Sequence, residues 1–544
     1  MLFYFRIPAN RTRIVKLILP VFILLAALLA VPSTAFGHAS LIQSVPEPNS
    51  QMDTPPRQIA LTFNERIEEK LFYIKVIDEI GRQATSDKAK LNADRTGLTL
   101  DLPELPKGAY VVTYHVISAD GHPVDGSYVI TVGPPRNTTA SIGSEHEHSL
   151  SWNMGFADLL KYASRIASYF ALLALTGWVA WSSLQSGQSG ETRNRFKGWA
   201  IGLQRAYVIT LLLVIYTHYS ELLGEGGAAE LVGLFTGTSI GLSWIASLLL
   251  ALAAFVVLRR NRIVDLVWVG ALLAAKSVNG HAMAFEPRFA ALLLDWIHLA
   301  GAALWVGGLL MIVVFWRTSD VRERLLPRFS RAALLSIIVL SLTGAASTLI
   351  YLPKLDYLLY TQWGTLLLIK IGLVLLVLIS AGTIRFMLRK RQNAGANLWL
   401  RIDLGLMVLI VATVGVLTYV APVPPNKPLS YHEMGTKAHL TLRITPNAPG
   451  PNTFTVKVWL PEKLGKPKYV KLNMIYNDDK SIAPIEVPIE TYDDKELDAF
   501  IDYARFSYKA AGPYMPFAGS WTVEVRIMDP NDDEIVYKQD MRIY

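Results

Sequence analysis

Apolar and polar residues follow three different patterns along the chain, and the first predicts β-strands. Between residues 38 and 133, short segments alternate apolar and polar positions and are separated by Gly, Pro, Asn and Asp. The alternating segments are 58–63, 72–77, 98–102, 110–117 and 127–132. Their spacing predicts a small all-β domain over 38–133, either a sandwich or a barrel.

The second pattern is a series of long apolar segments between residues 156 and 422. Each is about 20 residues long, enough for a helix to cross the hydrocarbon core of a bilayer. They lie near 164–184, 200–219, 238–258, 263–282, 291–316, 332–352, 364–386 and 402–421. We therefore expect a transmembrane bundle of eight helices over 156–422.

Charged residues between these segments predict the orientation of the bundle. Every second connection is rich in Arg and Lys, as in Arg193, Arg195 and Lys197 or in Arg259, Arg260 and Arg262, whereas the others carry few basic residues. Basic loops remain on the cytoplasmic side of a membrane. The alternation is unbroken over all eight segments, so it places both ends of the mature chain outside the cytoplasm.

The third pattern returns to alternation after the apolar segments. Strand-like stretches at 439–444, 453–460, 470–476 and 521–528 are separated by turns rich in Pro, Asn and Gly. We expect a second β-sandwich over 437–544. Polar or Pro-rich linkers are expected at 134–155 and 423–436.

The first 37 residues have the features of a secretory signal peptide. Basic residues precede an apolar run from 18 to 31, and the small residues Ala35 and Gly37 then provide a cleavage site. Cleavage after Gly37 would make His38 the first residue of the mature protein.

Composition narrows the classes of function. Of 544 residues, 52% are hydrophobic and only 18% are charged, which favours a membrane protein. The net charge is +8, and the Lys and Arg residues cluster beside the apolar segments. This distribution indicates membrane topology and not nucleic-acid binding. Cysteine is absent from the sequence, which excludes disulfides and thiolate metal sites. The sequence has no phosphate-binding glycine loop followed by Lys-Ser or Lys-Thr, so we expect no ATP-driven pump. We also do not expect an enzyme.

A mature N-terminal histidine has the chemistry of a copper ligand. The α-amine and Nδ1 of His38 can close a six-membered chelate ring on one metal ion. Asp120 and His122 are two residues apart, so in an extended chain both point to one face. Nitrogen ligands with one carboxylate suit tetragonal Cu(II). His115 is an odd number of residues from both, so in an extended chain its side chain points to the other face. It is expected to be a structural strand histidine.

These residues lie in motifs that resemble the copper-binding domain CopC. The motifs are His38-Ala39-x-Leu41-x-x-Ser44-x-Pro46, Leu61-Thr62-Phe63 and Ser118-Ala119-Asp120-Gly121-His122-Pro123-Val124-x-Gly126. The resemblance covers about 38–133 and implies that His38, Asp120 and His122 bind Cu(II). Met52 is the single methionine of this region, so the resemblance does not extend to a methionine-rich Cu(I) site.

Ionisable residues within the apolar segments are candidates for a copper path. Such residues are costly in a membrane and are often functional, although a lone histidine can also simply hydrogen-bond a neighbouring helix. His218, His281 and His298 are expected near the outer side, and Met283 could soften a Cu(I) site. Asp295 and His298 are three residues apart and share one helix face.

The membrane region resembles the CopD family in three motifs. They are residues 295–309 (DWIHLAGAALWVGGL), Thr343-Gly344, and Thr361-Gln362-Trp363-Gly364 followed by Leu366-Leu367-Leu368-Ile369-Lys370. The C-terminal region resembles YtkA-like domains, and the whole order resembles the YcnJ-type copper proteins. His432 and His439, at the start of the C-terminal region, are expected to be structural.

The combined resemblance implies copper acquisition across a bacterial cell membrane. Cu(II) would bind outside and pass to the spans as Cu(I) or Cu(II), and an extracytoplasmic copper chaperone or reductase would be a partner. Two alternatives remain open. One is a resistance protein that sequesters copper without transport, and the other is a membrane redox protein that contains haem or copper.

Overall fold

The structure is a computed structural model of the chain, in which most residues after 38 are described. The described residues are 39–48, 50–78, 82–119, 121–133, 155–185, 190–223, 228–352, 354–390, 393–424, 426–494 and 500–544. They form two compact units: a helical unit ending at Val423, and a β unit that contains the strands before and after it. The predicted signal peptide and most of the first linker lie outside the described residues.

The N-terminal strands form two sheets around one core. They are β1 (Leu41–Val45), β2 (Ser50–Met52), β3 (Gln58–Phe63), β4 (Tyr73–Asp78), β5 (Lys90–Leu91), β6 (Gly97–Asp101), β7 (Gly108–Ile117) and β8 (Pro123–Val132). The sheet orders are β1-β3-β6-β5 and β2-β8-β7-β4. Alternate residues such as Leu61, Val76 and Val112 are completely buried between the sheets. The predicted all-β domain is therefore a sandwich.

The C-terminal strands form a second sandwich with its own core. They are β9 (Leu429–Met434), β10 (His439–Thr445), β11 (Gly450–Pro461), β12 (Tyr469–Tyr476), β13 (Ile485–Val487), β14 (Glu490–Thr491), β15 (Tyr503–Met515), β16 (Gly519–Met528) and β17 (Glu534–Ile543). The sheet orders are β14-β15-β11-β10-β9 and β13-β12-β16-β17. Strand β9 lies within 423–436, where the sequence predicted a linker.

The helical unit contains eight long helices and two short ones among the described residues. They are α1 (Phe156–Ser183), α2 (Gly190–Leu223), the short α3 (Ala228–Gly237), α4 (Ser239–Val257), α5 (Arg262–Ser277), α6 (Arg288–Val314), α7 (Ser319–Tyr351), the short α8 (Tyr357–Tyr360), α9 (Gln362–Arg389) and α10 (Asn393–Leu417). The long helices correspond one to one with the eight predicted spans. This confirms the predicted class of a helical membrane bundle between two β-rich regions.

Seven of the described helices are long and apolar enough to cross a membrane, and α5 is shorter. Helix α5 has 16 residues and ends at Ser277, whereas the prediction extended this span to residue 282. At 1.5 Å per residue it is about 24 Å long, less than the roughly 30 Å of a bilayer core. A 3₁₀ turn at His281–Met283 takes the place of its predicted last turn.

Several helices continue beyond their apolar segments into the basic regions. Helix α2 begins at Gly190, so Arg193, Arg195 and Lys197 lie on its first turns and not in a loop. Helix α7 begins at Ser319 and likewise includes basic residues before its apolar part. A helix satisfies its own backbone hydrogen bonds and can therefore extend past the hydrocarbon layer of the membrane. The apolar segment of the sequence corresponds only to the part of the helix inside that layer.

Glycines bring α1 and α6 into close contact. A methyl group at Gly177 would lie 1.9 Å from the carbonyl oxygen of Ala303, and one at Gly307 would lie 2.3 Å from the carbonyl carbon of Gly177. Small residues allow helix backbones to approach in this way. The crossing fixes the position of α6, which carries Asp295 and His298.

Candidate metal centres

The turn between β7 and β8 carries the predicted residues Asp120 and His122. The Ser118 N–H donates to the carbonyl oxygen of His122 at 2.8 Å, and the Gly121 N–H donates to that of Ser118 at 2.8 Å. Gly121 has φ +84°, a left-handed conformation that glycine adopts without steric cost. His122 is 7% exposed at the end of this turn. Asp120 lies outside the described residues.

The same turn holds the start of the predicted mature chain. The Ala39 N–H donates to Ser118 Oγ at 3.0 Å across 79 residues of sequence. The Ser40 N–H donates to Asn64 Oδ1 at 2.6 Å, and Asn64 N–H donates back to the Ser40 carbonyl. His38 lies outside the described residues, but its neighbour Ala39 is thus fixed beside the turn that contains His122.

Glu65 is a further acidic residue near this turn that sequence reasoning missed. It follows Asn64 and precedes Arg66, whose carbonyl oxygen accepts a hydrogen bond from Ala119 N–H at 3.1 Å. Glu65 is 7% exposed. A buried carboxylate beside a predicted metal site is a candidate ligand or partner of a ligand. Its only sequence signal is its position two residues after the Leu61-Thr62-Phe63 motif.

His115 lies in β7 among structural partners. Its Nδ1 is 2.5 Å from Asp125 Oδ1, and its ring stacks on Tyr73 with centroids 5.3 Å apart. The side chain is 1% exposed. These contacts agree with the expectation of a strand histidine that supports the sandwich.

Substitutions are expected to separate these roles. Asp120→Ala and His122→Ala should each weaken Cu(II) binding, because each removes a predicted ligand. His115→Ala should leave the Cu(II) affinity nearly unchanged but destabilise the fold by about 2–4 kcal/mol, through loss of packing and of the Asp125 hydrogen bond. Competition with a Cu(II) chelator and thermal unfolding of the purified chain measure the two effects. The structure places His122 at the end of a turn and not in an extended strand, so an equal loss of affinity in His115→Ala would show that this histidine also belongs to the Cu(II) site.

His218 and Glu221 lie near the end of α2, beside the start of α1. Lys161 and Glu221 form a salt bridge, and Arg165 Nη1 lies 3.3 Å from His218 Nε2. His218 Nδ1 is 2.9 Å from the Val214 carbonyl oxygen, which can only accept, so Nδ1 carries the proton. Both ring nitrogens of His218 are therefore engaged in hydrogen bonds between or within helices. We call the end of the helical unit where α1 begins the His218 end.

His281 and Met283 lie in the 3₁₀ turn after α5, also at the His218 end. His281 is 8% exposed, and its Nε2 donates to the carbonyl oxygen of Val420 at 3.0 Å. Met283 is half-buried. The hydrogen bond joins this turn to the chain that follows α10.

His298 has contacts to two other helices. Its Nδ1 is 2.8 Å from Thr343 Oγ1 on α7, and Lys370 Nζ on α9 is 3.5 Å from its Nε2. Thr343 Oγ1 donates its own hydrogen to the Val339 carbonyl oxygen at 2.7 Å, so it accepts from His298 Nδ1–H. This assigns the lone pair of the imidazole to Nε2, the atom that faces Lys370.

Asp295 belongs to the same polar cluster. Its carboxylate interacts with the ammonium groups of Lys276 and Lys370 and with the hydroxyl of Ser277. Lys276 also donates to the Asn279 carbonyl oxygen at 2.6 Å. Lys276 and Lys370 thus have polar neighbours inside the bundle, and the charge of Lys370 acts on both Asp295 and His298. The sequence identified Asp295 and His298 as candidates but not these neighbours.

The described residues contain no group of three or more His, Asp or Glu side chains arranged to hold a metal ion. His218, His281 and His298 each have separate hydrogen-bond partners. The structure therefore places all three histidines in the helical unit without bringing them together into one centre.

Comparison with known proteins gives two family matches in the chain. The CopC domain family matches residues 41–133, and the family described as copper resistance protein D matches residues 323–417. The second match includes Thr343 and Lys370 but begins after His298.

Individual relatives extend these matches. The copper transport protein CutJ of Bacillus subtilis is 30% identical over 467 residues, which are 80% of this chain and 84% of CutJ. Protein YobA of Escherichia coli is 32% identical over 111 residues, 20% of this chain and 89% of YobA. The crystal structure of CopC from Methylosinus trichosporium OB3b is 35% identical and covers 19% of this chain and 99% of that chain, with a TM-score of 0.17.

The match to CutJ includes most of both chains, and the two family models match the N-terminal sandwich and the last part of the helical unit. The chain therefore belongs to the CopC–CopD family of copper transport and resistance proteins, as a multi-pass membrane protein.

Proposed function

We propose that this protein acquires copper: Cu(II) binds outside the cell membrane to the N-terminal sandwich and passes to the helical unit for import. The observation that carries the proposal is the similarity over 80% of the chain to a protein named as a copper transport protein. The names of the related families describe copper transport or resistance and not catalysis, which supports a protein that is not an enzyme.

The proposed capture site consists of His38, Asp120 and His122. The hydrogen bond from Ala39 N–H to Ser118 Oγ supports it, because it holds the residue after His38 against the turn that carries His122. A chelating N-terminal histidine, a second imidazole and a carboxylate are the donor set that Cu(II) prefers. Glu65 is a candidate for a supporting role.

The proposed transfer path begins at the His218 end, which we assign to the extracytoplasmic side. The basic residues at the start of α2 and α7 lie at the opposite end of their helices, in agreement with a cytoplasmic location. His298 Nε2 is the proposed copper-binding atom. Lys370 lies 3.5 Å from it, so this ammonium group would have to move away when copper binds.

Copper content of cells tests the direction of transport. Cells that lack the protein and grow under copper limitation should contain less copper than wild-type cells, and re-expression should restore the content. Metal analysis of washed cells measures this. A higher copper content in the deletion strain would contradict import and would support resistance.

Sequestration without transport is the second candidate function. It is favoured by the observation that the described part of the helical unit has no group of three or more His, Asp or Glu side chains arranged for a metal. In that case the helices would anchor the outer domains, and the copper-binding residues would be those of the N-terminal sandwich. An extracytoplasmic chaperone or reductase as a partner fits either function.

A further inference from the structure

The edge of the C-terminal sandwich brings two histidines and a methionine together. His432 and Met434 are two residues apart in β9, so their side chains share one face. In the register of β9 with β10, His439 pairs with Met434 and Thr441 pairs with His432. All three side chains therefore lie on the face opposite to the core residues of β10. Cβ atoms of directly opposite residues are about 4.5–5.5 Å apart, close enough for both side chains to reach one ion.

His439 is buried with an unsatisfied nitrogen. The residue is 8% exposed, and its Nδ1 has no hydrogen-bond partner among the residues that the structure describes. A buried polar atom without a partner costs about 1–3 kcal/mol, so such an atom needs an explanation. The ring lies against Phe500 and Tyr503, with centroid distances of 5.0 Å and 4.5 Å.

His432 is oriented by a hydrogen bond. Its Nδ1 is 2.8 Å from Thr441 Oγ1, which leaves Nε2, on the other side of the ring, as the atom available to bind a metal. Its ring stacks on Phe500 with centroids 5.9 Å apart, and the two imidazoles are close enough to interact electrostatically. Phe500 thus contacts both histidines.

Met434 supplies the third donor. It is 64% exposed, although methionine usually packs inside a protein. It lies on an edge strand opposite His439, where packing does not require a long apolar side chain. Its thioether is a soft ligand that adapts to an ion by rotation about several bonds.

We propose that His432, Met434 and His439 form a second copper site, specific for Cu(I), in the C-terminal sandwich. Two imidazoles and a thioether suit Cu(I), whereas harder divalent ions prefer carboxylate and water. Phe500 and Tyr503 cover the His439 side of the site, whereas Met434 lies on its exposed side. This proposal replaces the expectation that His432 and His439 are purely structural. It does not depend on the N-terminal Cu(II) site or on the direction of transport.

Cu(I) binding by the purified full-length chain tests the site. The protein in detergent is titrated with Cu(I) under a reductant in competition with a chromogenic Cu(I) chelator. Met434→Leu and His432→Asn should each bind one fewer Cu(I) per chain than wild type in this competition. Met541→Leu, which changes a methionine on the other sheet of the same sandwich, should bind as many as wild type.

A direct signal from Met434 completes the test. In protein labelled with [¹³C-methyl]methionine, the resonance that is missing in Met434→Leu should shift on addition of one equivalent of Cu(I). The EPR signal of Cu(II) at the N-terminal site should be the same in all these variants, which separates the two sites. Equal Cu(I) numbers in wild type, Met434→Leu and His432→Asn, or a Met434 resonance that does not move, would overturn the proposal.

Discussion

Insertion of one alanine before His38, with cleavage maintained, should abolish tight Cu(II) binding by the full-length chain. His38 would then have an amide in place of its α-amine, and the six-membered chelate ring could not form. Changes to residues that only support a ligand cost 10–100-fold in metal affinity, so removal of a ligating amine should cost more than about 100-fold. Blocked signal cleavage should have the same effect.

The measurement is Cu(II) competition with a chelator, followed by EPR of the bound ion. The matched control inserts alanine after Gly133, beyond the last strand of the sandwich, and should leave the affinity unchanged. Binding should also weaken in mild acid, because protons compete for the amine and imidazole nitrogens, with reference pKa values of roughly 7.7–8.0 and 6.5. Unchanged affinity in the insertion before His38 would contradict the proposed site.

The second large effect concerns His298. His298→Ala should abolish copper uptake by cells while the N-terminal sandwich keeps its Cu(II) affinity, because that sandwich has its own core and its own predicted ligands. Asp295→Ala should give a milder defect, since Asp295 contributes charge near the site and interacts with Lys370.

Thr343 provides a sharper test of the same site. Thr343→Val has nearly the same shape but cannot accept the hydrogen bond from His298 Nδ1, so the imidazole loses its fixed orientation. Uptake should fall by about 10–100-fold, the usual cost of losing such a partner, and Thr343→Ser should restore it. A purely structural threonine would instead change protein abundance, which immunoblotting of membranes measures in every variant.

Cellular copper accumulation under limitation is the readout for this series. Normal accumulation in well-expressed His298→Ala cells would show that this histidine only joins helices. The import proposal would then lose its main support within the membrane. The proposed binding of Cu(II) by the N-terminal sandwich is tested separately, by the insertion before His38.

Local sequence determined the order of the parts and the kind of each part. Alternation with period two and apolar runs of about 20 residues are local properties, so they predicted the strands 58–63 and 110–117 and all eight long helices. They could not predict β5, which has two residues, or β15, which is longer than any segment read as a strand. The sequence predicts a linker at β9, because this strand lies at a sheet edge and its residues are mostly exposed.

Sequence also identified candidate ligands by residue type, but only tertiary structure decided their neighbours. Thr343 is 45 residues and Lys370 is 72 residues from His298, and no local pattern links them. The same holds for Ala39 and Ser118, and for the pairing of His439 with Met434. A side chain's periodicity depends on its own helix or strand, whereas the hydrogen bonds that orient an imidazole depend on which elements pack together. The sequence therefore determines which side chains can bind a metal, and the tertiary structure determines which of them lie close together and how they are oriented.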